Sequence, residues 1–171
     1  MRTADTHTGG WTRVLLVMAL SGPMLAGCGF HLEGDHPLPR SLAVVRIDAV
    51  DTQSDFYFAL RKALMAAGTR IDGTGQDKSV PVIHLLTDAT QSTILSVSTR
   101  NIPTEYELTY RVRFSVDAEG RELIAPEERM LVRDYSYNES QQLAKDREQT
   151  ILGAALAREL AGVVMRRLSS L

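Results

Sequence analysis

The chain has 171 residues, 44% of them apolar and 23% charged, with a formal charge of −2; this fits one ordinary domain with a single core and excludes both a disordered chain and a multi-spanning membrane protein. The acidic balance offers no basic field for nucleic acid. Aromatic residues are only 6%, so the core has to come from Leu, Val, Ile and Ala, and the single cysteine excludes an intramolecular disulfide.

In chain order, Arg2 and Arg13 precede an apolar stretch at residues 14–20, which Ser21, Gly22 and Pro23 break before Leu25, Ala26, Gly27 and Cys28. That is the layout of a secretory signal, and the run is too short for a spanning helix, which needs about 20 apolar residues. Leu25-Ala26-Gly27-Cys28 resembles the bacterial lipobox. The resemblance implies lipidation of Cys28: diacylglycerol on its sulfur, cleavage before it and acylation of the new amine. Each buried methylene adds about 0.8 kcal/mol, so several acyl chains make a lasting anchor. Gly29 follows, whereas lipoproteins kept at the inner membrane tend to carry Asp, so the outer membrane is the expected destination. Cleavage removes Arg2, Arg13 and Asp5 and leaves 17 basic and 20 acidic residues, all but three of the basic ones arginine. Residues 1–27 are therefore predicted as a lipoprotein-type signal peptide, 28–40 as a lipidated tether and 41–171 as a periplasmic α/β domain. Two glycines and two prolines in residues 29–39 suit a tether. Its His31, Glu33, Asp35 and His36 lack the rigid support that metal ligands need, and no metal site is predicted.

Residues 42–47 read as a first strand. Ser54 can cap a helix whose Phe56, Leu60, Ala63, Leu64 and Ala67 share one face and whose stop is Gly68. Residues 72–79 form a polar loop. Its Gly73-Thr74-Gly75 lacks the third glycine and following helix of a nucleotide fingerprint, so it reads as a turn. Residues 80–86 and 93–98 are strand-like, one long strand bent around the polar residues 88–92. Residues 105–116 alternate most clearly: Tyr106, Leu108, Tyr110, Val112, Phe114 and Val116 against Glu105, Glu107, Thr109, Arg111, Arg113 and Ser115, the pattern of a sheet with one buried and one polar face. A turn at 117–121 leads to a strand at 129–137. Asn138 and Gln141 form a capping box for a helix whose Ile151, Leu152, Ala155, Leu156, Leu160, Val163, Val164 and Leu168 give a broad apolar stripe. The expected fold is α+β, a two-layer sandwich of order β-α-β-β-β-α in which two helices cover one face of a four-stranded mixed sheet. The other face, with Glu105, Glu107, Arg111 and Arg113, is expected to stay polar and uncovered.

No enzyme constellation stands in this sequence: there is no second cysteine, no strand-turn-helix serine elbow and no helical histidine pair for zinc. No catalytic residue and no cofactor is predicted. His84, in a strand with no partner marked by sequence, reads as structural. Arg100 sits in the hairpin tip Thr99-Arg100-Asn101-Ile102-Pro103-Thr104, and loop tips concentrate binding residues. Lys145 lies near the start of the last helix, where the helix dipole favours anions, with Glu148 three residues on to offset it.

Cys28-Gly29-Phe30-His31-Leu32, the strand, helix and Gly68 stop, Ser98-Thr99-Arg100, Thr104-Glu105-Tyr106 and Leu143-Ala144-Lys145-Asp146 together resemble the LPS-assembly lipoprotein family, LptE, over nearly all of the mature chain. The resemblance implies a non-enzymatic lipoprotein docked inside the barrel of the outer-membrane protein LptD as a heterodimer. There it plugs the lumen and assists delivery of lipopolysaccharide to the cell surface. It further implies LPS binding through the basic residues Arg100 and Lys145, which would meet lipid phosphates by charge-assisted hydrogen bonds. Glu33 stands where many relatives carry Arg, and the chain ends soon after the last helix, without the polar tail of some relatives. The alternative is another periplasm-facing binding or scaffold lipoprotein of the outer membrane sharing this fold.

Overall fold

The computed structural model describes residues 38–136 and 142–171, with side chains in the second stretch from residue 147 on. A 3-10 turn (Arg40–Leu42) leads into β1 (Val44–Ala49), followed by α1 (Asp55–Ala66), β2 (Arg70–Ile71), β3 (Val82–Val97), β4 (Pro103–Ala118), β5 (Arg121–Ser136) and α2 (Gln142–Ser169). The α+β sandwich is as expected, but the sheet has five strands rather than four, in the order β2-β1-β3-β4-β5. The extra strand is β2, two residues paired parallel to β1 and too short to leave a periodic signal. β1 pairs parallel with β3, and β3, β4 and β5 form an antiparallel meander.

Local chemistry explains the helix bounds. Ser54 is extended and its Oγ accepts the Tyr57 N–H at 3.0 Å, which satisfies one of the orphan donors of the first turn. At the other end Gly68 takes φ +85°, with Gly68 N–H to Met65 O at 3.1 Å and Thr69 N–H to Leu64 O at 3.0 Å, a Schellman close that only glycine makes without strain. Leu42, expected to open the first strand, lies in the 3-10 turn instead, fully buried. The predicted caps Asn138 and Gln141 lie outside the described residues.

Each meander strand has 16 residues, roughly 50 Å at about 3.3 Å per residue. β3 runs unbroken through residues 88–92, with a bulge between Leu85 and Thr87. β5 starts eight residues earlier than the alternation suggested, because its first half contains a register shift opposite Phe114 and Val116, around Ala125 and Pro126. Proline has no N–H for the ladder and is tolerated here at an edge strand and bulge. Glu119 and Gly120 both have positive φ, 53° and 74°, the requirement of a tight primed turn between β4 and β5.

Both helices pack on one face of the sheet. The core joins Phe56, Leu60 and Leu64 of α1 and Leu156, Leu160, Val164 and Leu168 of α2 to Ile83, Val112, Phe114 and Val116. The opposite face of β4 holds Glu105, Glu107, Thr109, Arg111, Arg113 and Ser115, exposed or half-buried, as the alternation predicted. Among the described residues no helix is long and apolar enough to cross a membrane.

Candidate functional site

The β3–β4 hairpin closes through Ser98: its N–H donates to Ile102 O at 2.7 Å, its carbonyl accepts the Asn101 N–H at 2.9 Å and its Oγ accepts the Ile102 N–H at 3.3 Å. Asn101 holds φ 60°, a conformation its short polar side chain tolerates. Arg100 is thus displayed, exposed, at the far end of the meander from β1. Lys145 falls in the first turn of α2, and its side chain lies outside the described residues. Ser136 pairs with Glu105, close to the tip, and α2 begins six residues later, so connectivity holds the start of α2 and Arg100 at the same end of the sheet. Cys28 lies outside the described residues.

The uncovered face carries charged side chains along β4, some of them paired, with Met130 and Val132 of β5 exposed beside them. Arg111 Nε lies 3.4 Å from Glu128 Oε1. His84, for which the sequence marked no partner, gains two from neighbouring strands: Nδ1 is 3.1 Å from Asp48 Oδ2 and Nε2 is 2.5 Å from Asp117 Oδ1. Both ring nitrogens are occupied. No metal-binding cluster forms among the described residues.

The group that sequence reading missed is Asp88. The bulge at Leu86 shifts parity, so Thr87 pairs with Arg113 on the open face and Asp88 with Val112 on the helix face. Its carboxylate accepts Tyr110 OH at 2.8 Å and a short hydrogen bond from Ser54 Oγ, while the Tyr110 hydroxyl oxygen, Oη, accepts the Phe56 N–H at 3.3 Å. Burial, and then the Asp88 carboxylate, push the Tyr110 hydroxyl well above its usual titration range. The network pins the start of α1 to the sheet. Beyond it, Asp55, Thr90, Leu108, Gln149, Thr150 and Gly153 enclose a cleft of about 370 Å³ between the two helices. This explains why Asp88 and Thr90 are polar although they face the helical layer.

A second missed group lies along β5. Glu127 sits between Arg129 and Arg167 at 3.2 and 3.3 Å, and Arg133 meets Glu159 of α2 at 3.0 Å. These residues share the parity of the core face, which an alternation reading assigns to apolar side chains.

Comparison with known proteins follows the same boundaries. The family model described as "LptE: Lipopolysaccharide-assembly" matches residues 42–168. The LPS-assembly lipoprotein LptE of Pectobacterium atrosepticum is 28% identical over 155 residues, 90% of this chain and 83% of the relative. Among solved structures, rare lipoprotein B from Shewanella oneidensis superposes with a TM-score of 0.65 at 27% identity, over 74% of this chain and 94% of that one. A lipoprotein B from Nitrosomonas europaea gives 0.66 at 25% identity, over 83% and 91%.

Proposed function

Because the chain belongs to the LPS-assembly lipoprotein family, LptE, we propose that it is a non-catalytic outer-membrane lipoprotein that seats its domain in the lumen of an LptD-type β-barrel and binds lipopolysaccharide through Arg100 and Lys145. The observation that carries this reading is the uncovered face of the meander, which is polar along β4. The lumen of a large barrel is polar and water-lined, and a plug needs hydrogen-bonding groups there; Glu105, Glu107, Thr109, Arg111 and Arg113 supply them along β4. Length supports it as well. Strands of roughly 50 Å exceed the hydrocarbon core of about 30 Å, so a domain tethered by lipid at Cys28 on the periplasmic side would reach across the membrane. Arg100 would then meet lipid phosphates far from the anchor, as a planar fork suited to them.

The test is purification of the native protein from outer membranes in mild detergent. A large β-barrel should accompany it in equal amount, and a monodisperse free lipoprotein would refute the plug and favour a separate scaffold. LPS binding is tested independently. Arg100→Glu with Lys145→Glu should lower binding by tenfold or more, since each charge-assisted bond contributes about 1.5–3 kcal/mol, with an unchanged circular dichroism spectrum. Unchanged binding would remove both residues from the site.

A further inference from the structure

In the half of the meander away from the tether the sheet has two free edges, and their sequences differ. β1 stops at Ala49, opposite Leu85, and beyond that point no described strand lies outside β3. β5 is the other edge. Seven of its 16 residues are charged and it contains Pro126, features that keep an edge from pairing with another chain. On β3, residues 89–97 contain no charged residue, proline or glycine, and all but Ser96 are exposed. Such an edge is a template for a further strand.

The orientation of its backbone follows from the neighbouring strand. Arg46 N–H donates to Pro81 O at 2.9 Å, so along β3 residues 81, 83 and 85 turn their N–H and C=O toward β1, and the alternate residues turn theirs toward β4. The β3–β4 register skips Leu86, which reverses the order beyond it. Thr90, Ser92 and Ile94 therefore point N–H and C=O outward, into the lane that β1 leaves open.

Side-chain sites flank this lane. Where β1 ends, Ala49, Val50, Leu85 and Leu86, with Thr87 and the acids Asp51 and Asp88, line a pocket of about 240 Å³. Asp88 is held by Tyr110 and Ser54, and Asp51 accepts the Gln53 N–H at 2.8 Å, which leaves the apolar members to receive a side chain. On the helix face the 370 Å³ cleft opens beside Thr90. Of the eleven exposed large apolar side chains among the described residues, Val50, Leu86, Ile94, Leu95 and Val97 stand along this lane. Outward backbone groups with pockets beside them are the arrangement by which a sheet edge binds an extended peptide: hydrogen bonds supply affinity and pockets select side chains.

We propose that an extended, uncharged segment of the β-barrel partner adds to β3 as a strand alongside residues 89–95, with an apolar side chain seated against Val50 and Leu86. The proposal rests on the plug reading, which puts this edge in the lumen, where the barrel chain is what surrounds it. The wall strands of a barrel already pair with one another all round, so the segment is one folded inward, as are the loops that plug other large barrels. An uncharged lane selects an uncharged segment, since a charge placed there would lose water without gaining a partner.

For the test, the complex is purified from outer membranes with the full lipidated chain, and amide exchange is read residue by residue against the same chain purified without the barrel. Thr90, Ser92 and Ile94 should exchange at least about tenfold more slowly in the complex. Met130 and Val132, whose N–H groups point outward on β5 by the same alternation, should not change. Thr90→Pro/Ser92→Pro removes two outward donors and none of the β3–β4 bonds. It should speed loss of the barrel on dilution in detergent about tenfold, each hydrogen bond contributing a factor of roughly 2 to 10. Val50→Glu places a charge at the pocket on a residue that is 93% exposed; it should act in the same direction, and it keeps the test open should the proline variant fail to fold. A barrel that co-purifies while the three amides exchange as in the chain alone overturns the proposal and leaves the plug standing. Equal slowing at Met130 and Val132 overturns it too, because enclosure in the lumen would then suffice. So does slowing that needs no barrel and rises with protein concentration, the mark of a second copy. Absence of any barrel removes the plug and the proposal together.

Discussion

At the tether end of β3, Ile83 and Leu85 face a roof made by α1 and α2 and are almost fully buried, with Phe114 and Val116 beside them at 0% exposure. Toward the tip the same face of the same strand carries Asp88, Thr90, Ser92 and Ile94, and Ile94 is 53% exposed. The difference follows from the roof. α1 is only 12 residues and starts beside Asp88, so beyond that point only α2 covers the sheet, mainly over β4 and β5. One inserted residue, Leu86, exchanges the faces of β3 where the roof changes, an example of a bulge re-aiming side chains. A short, wide half therefore holds the fold together, and a long, narrow half projects from it.

The largest expected effect tests which half carries the stability. Phe114→Ala should cost about 3–5 kcal/mol in urea unfolding, as for other buried Phe truncations, whereas Ile94→Ala near the tip should cost less than about 1 kcal/mol because little of it is removed from water. Equal costs would show that the two halves share one core. At the junction, Tyr110→Phe removes the hydroxyl that joins Asp88 to the Phe56 N–H and should cost about 1–3 kcal/mol. This contribution has a pH signature. The folded-state pKa of Tyr110 is raised above the unfolded value near 10.0, so the stability it brings is complete below pH 10 and falls as pH rises above it, by about 1.4 kcal/mol per unit. Wild type and Tyr110→Phe should converge in unfolding free energy between pH 10 and 11 and stay a constant distance apart from pH 7 to 9; a gap that never narrows would disconnect Tyr110 from the junction.

The two halves were also unequally legible in the sequence. Where burial is one-sided and regular, as in the six alternating residues of β4 or Phe56, Leu60 and Leu64 of α1, spacing alone placed the residues on the correct face; at helix ends it did not, since Ala67 is the exposed cap of α1 and Ile151, expected on the apolar stripe of α2, is 66% exposed. At bulges it failed. Nothing in residues 80–98 announces that Leu86 is inserted, so the polar run at 88–92 read as a bend instead of the floor of a cleft. The first half of β5 was missed because Pro126 and a register shift break its alternation. The charged core-side residues Glu127 and Arg133 were unreadable for a related reason: their partners on α2, Arg167 and Glu159, lie 40 and 26 positions away, and only tertiary structure brings them together. Arg100 was located through its turn residues, since Ser98 and Asn101 mark a hairpin tip, whereas Asp48 and Asp117 around His84 come from two other strands and had no local sign.

A smaller prediction concerns the turn at the stable end. Glu119 occupies φ 53° at the first central position of the β4–β5 turn, where an L residue with a side chain costs roughly 1 kcal/mol relative to glycine. Glu119→Gly should therefore raise the unfolding midpoint, by up to about 1 kcal/mol after the added chain entropy of the unfolded state is subtracted. Loss of stability would mean that the Glu119 side chain makes a contact outweighing its strain.

The smallest effect belongs to Arg133. Its bridge to Glu159 joins β5 to α2, but the two side chains are 44% and 49% exposed, and exposed pairs of this kind contribute about 0–1 kcal/mol. Arg133→Ala should change stability by no more than about 0.5 kcal/mol and become neutral in high salt. The measurement matters because it bears on why a charged residue occupies a core-facing position. If the cost is small, the charges on this side of β5 do not hold α2 in place; the apolar stripe of Leu156, Leu160, Val164 and Leu168 does, and Arg133 with Glu159 only closes its rim against water. A loss of 2 kcal/mol or more would instead make the rim a structural clamp and extend the stable half toward the tip.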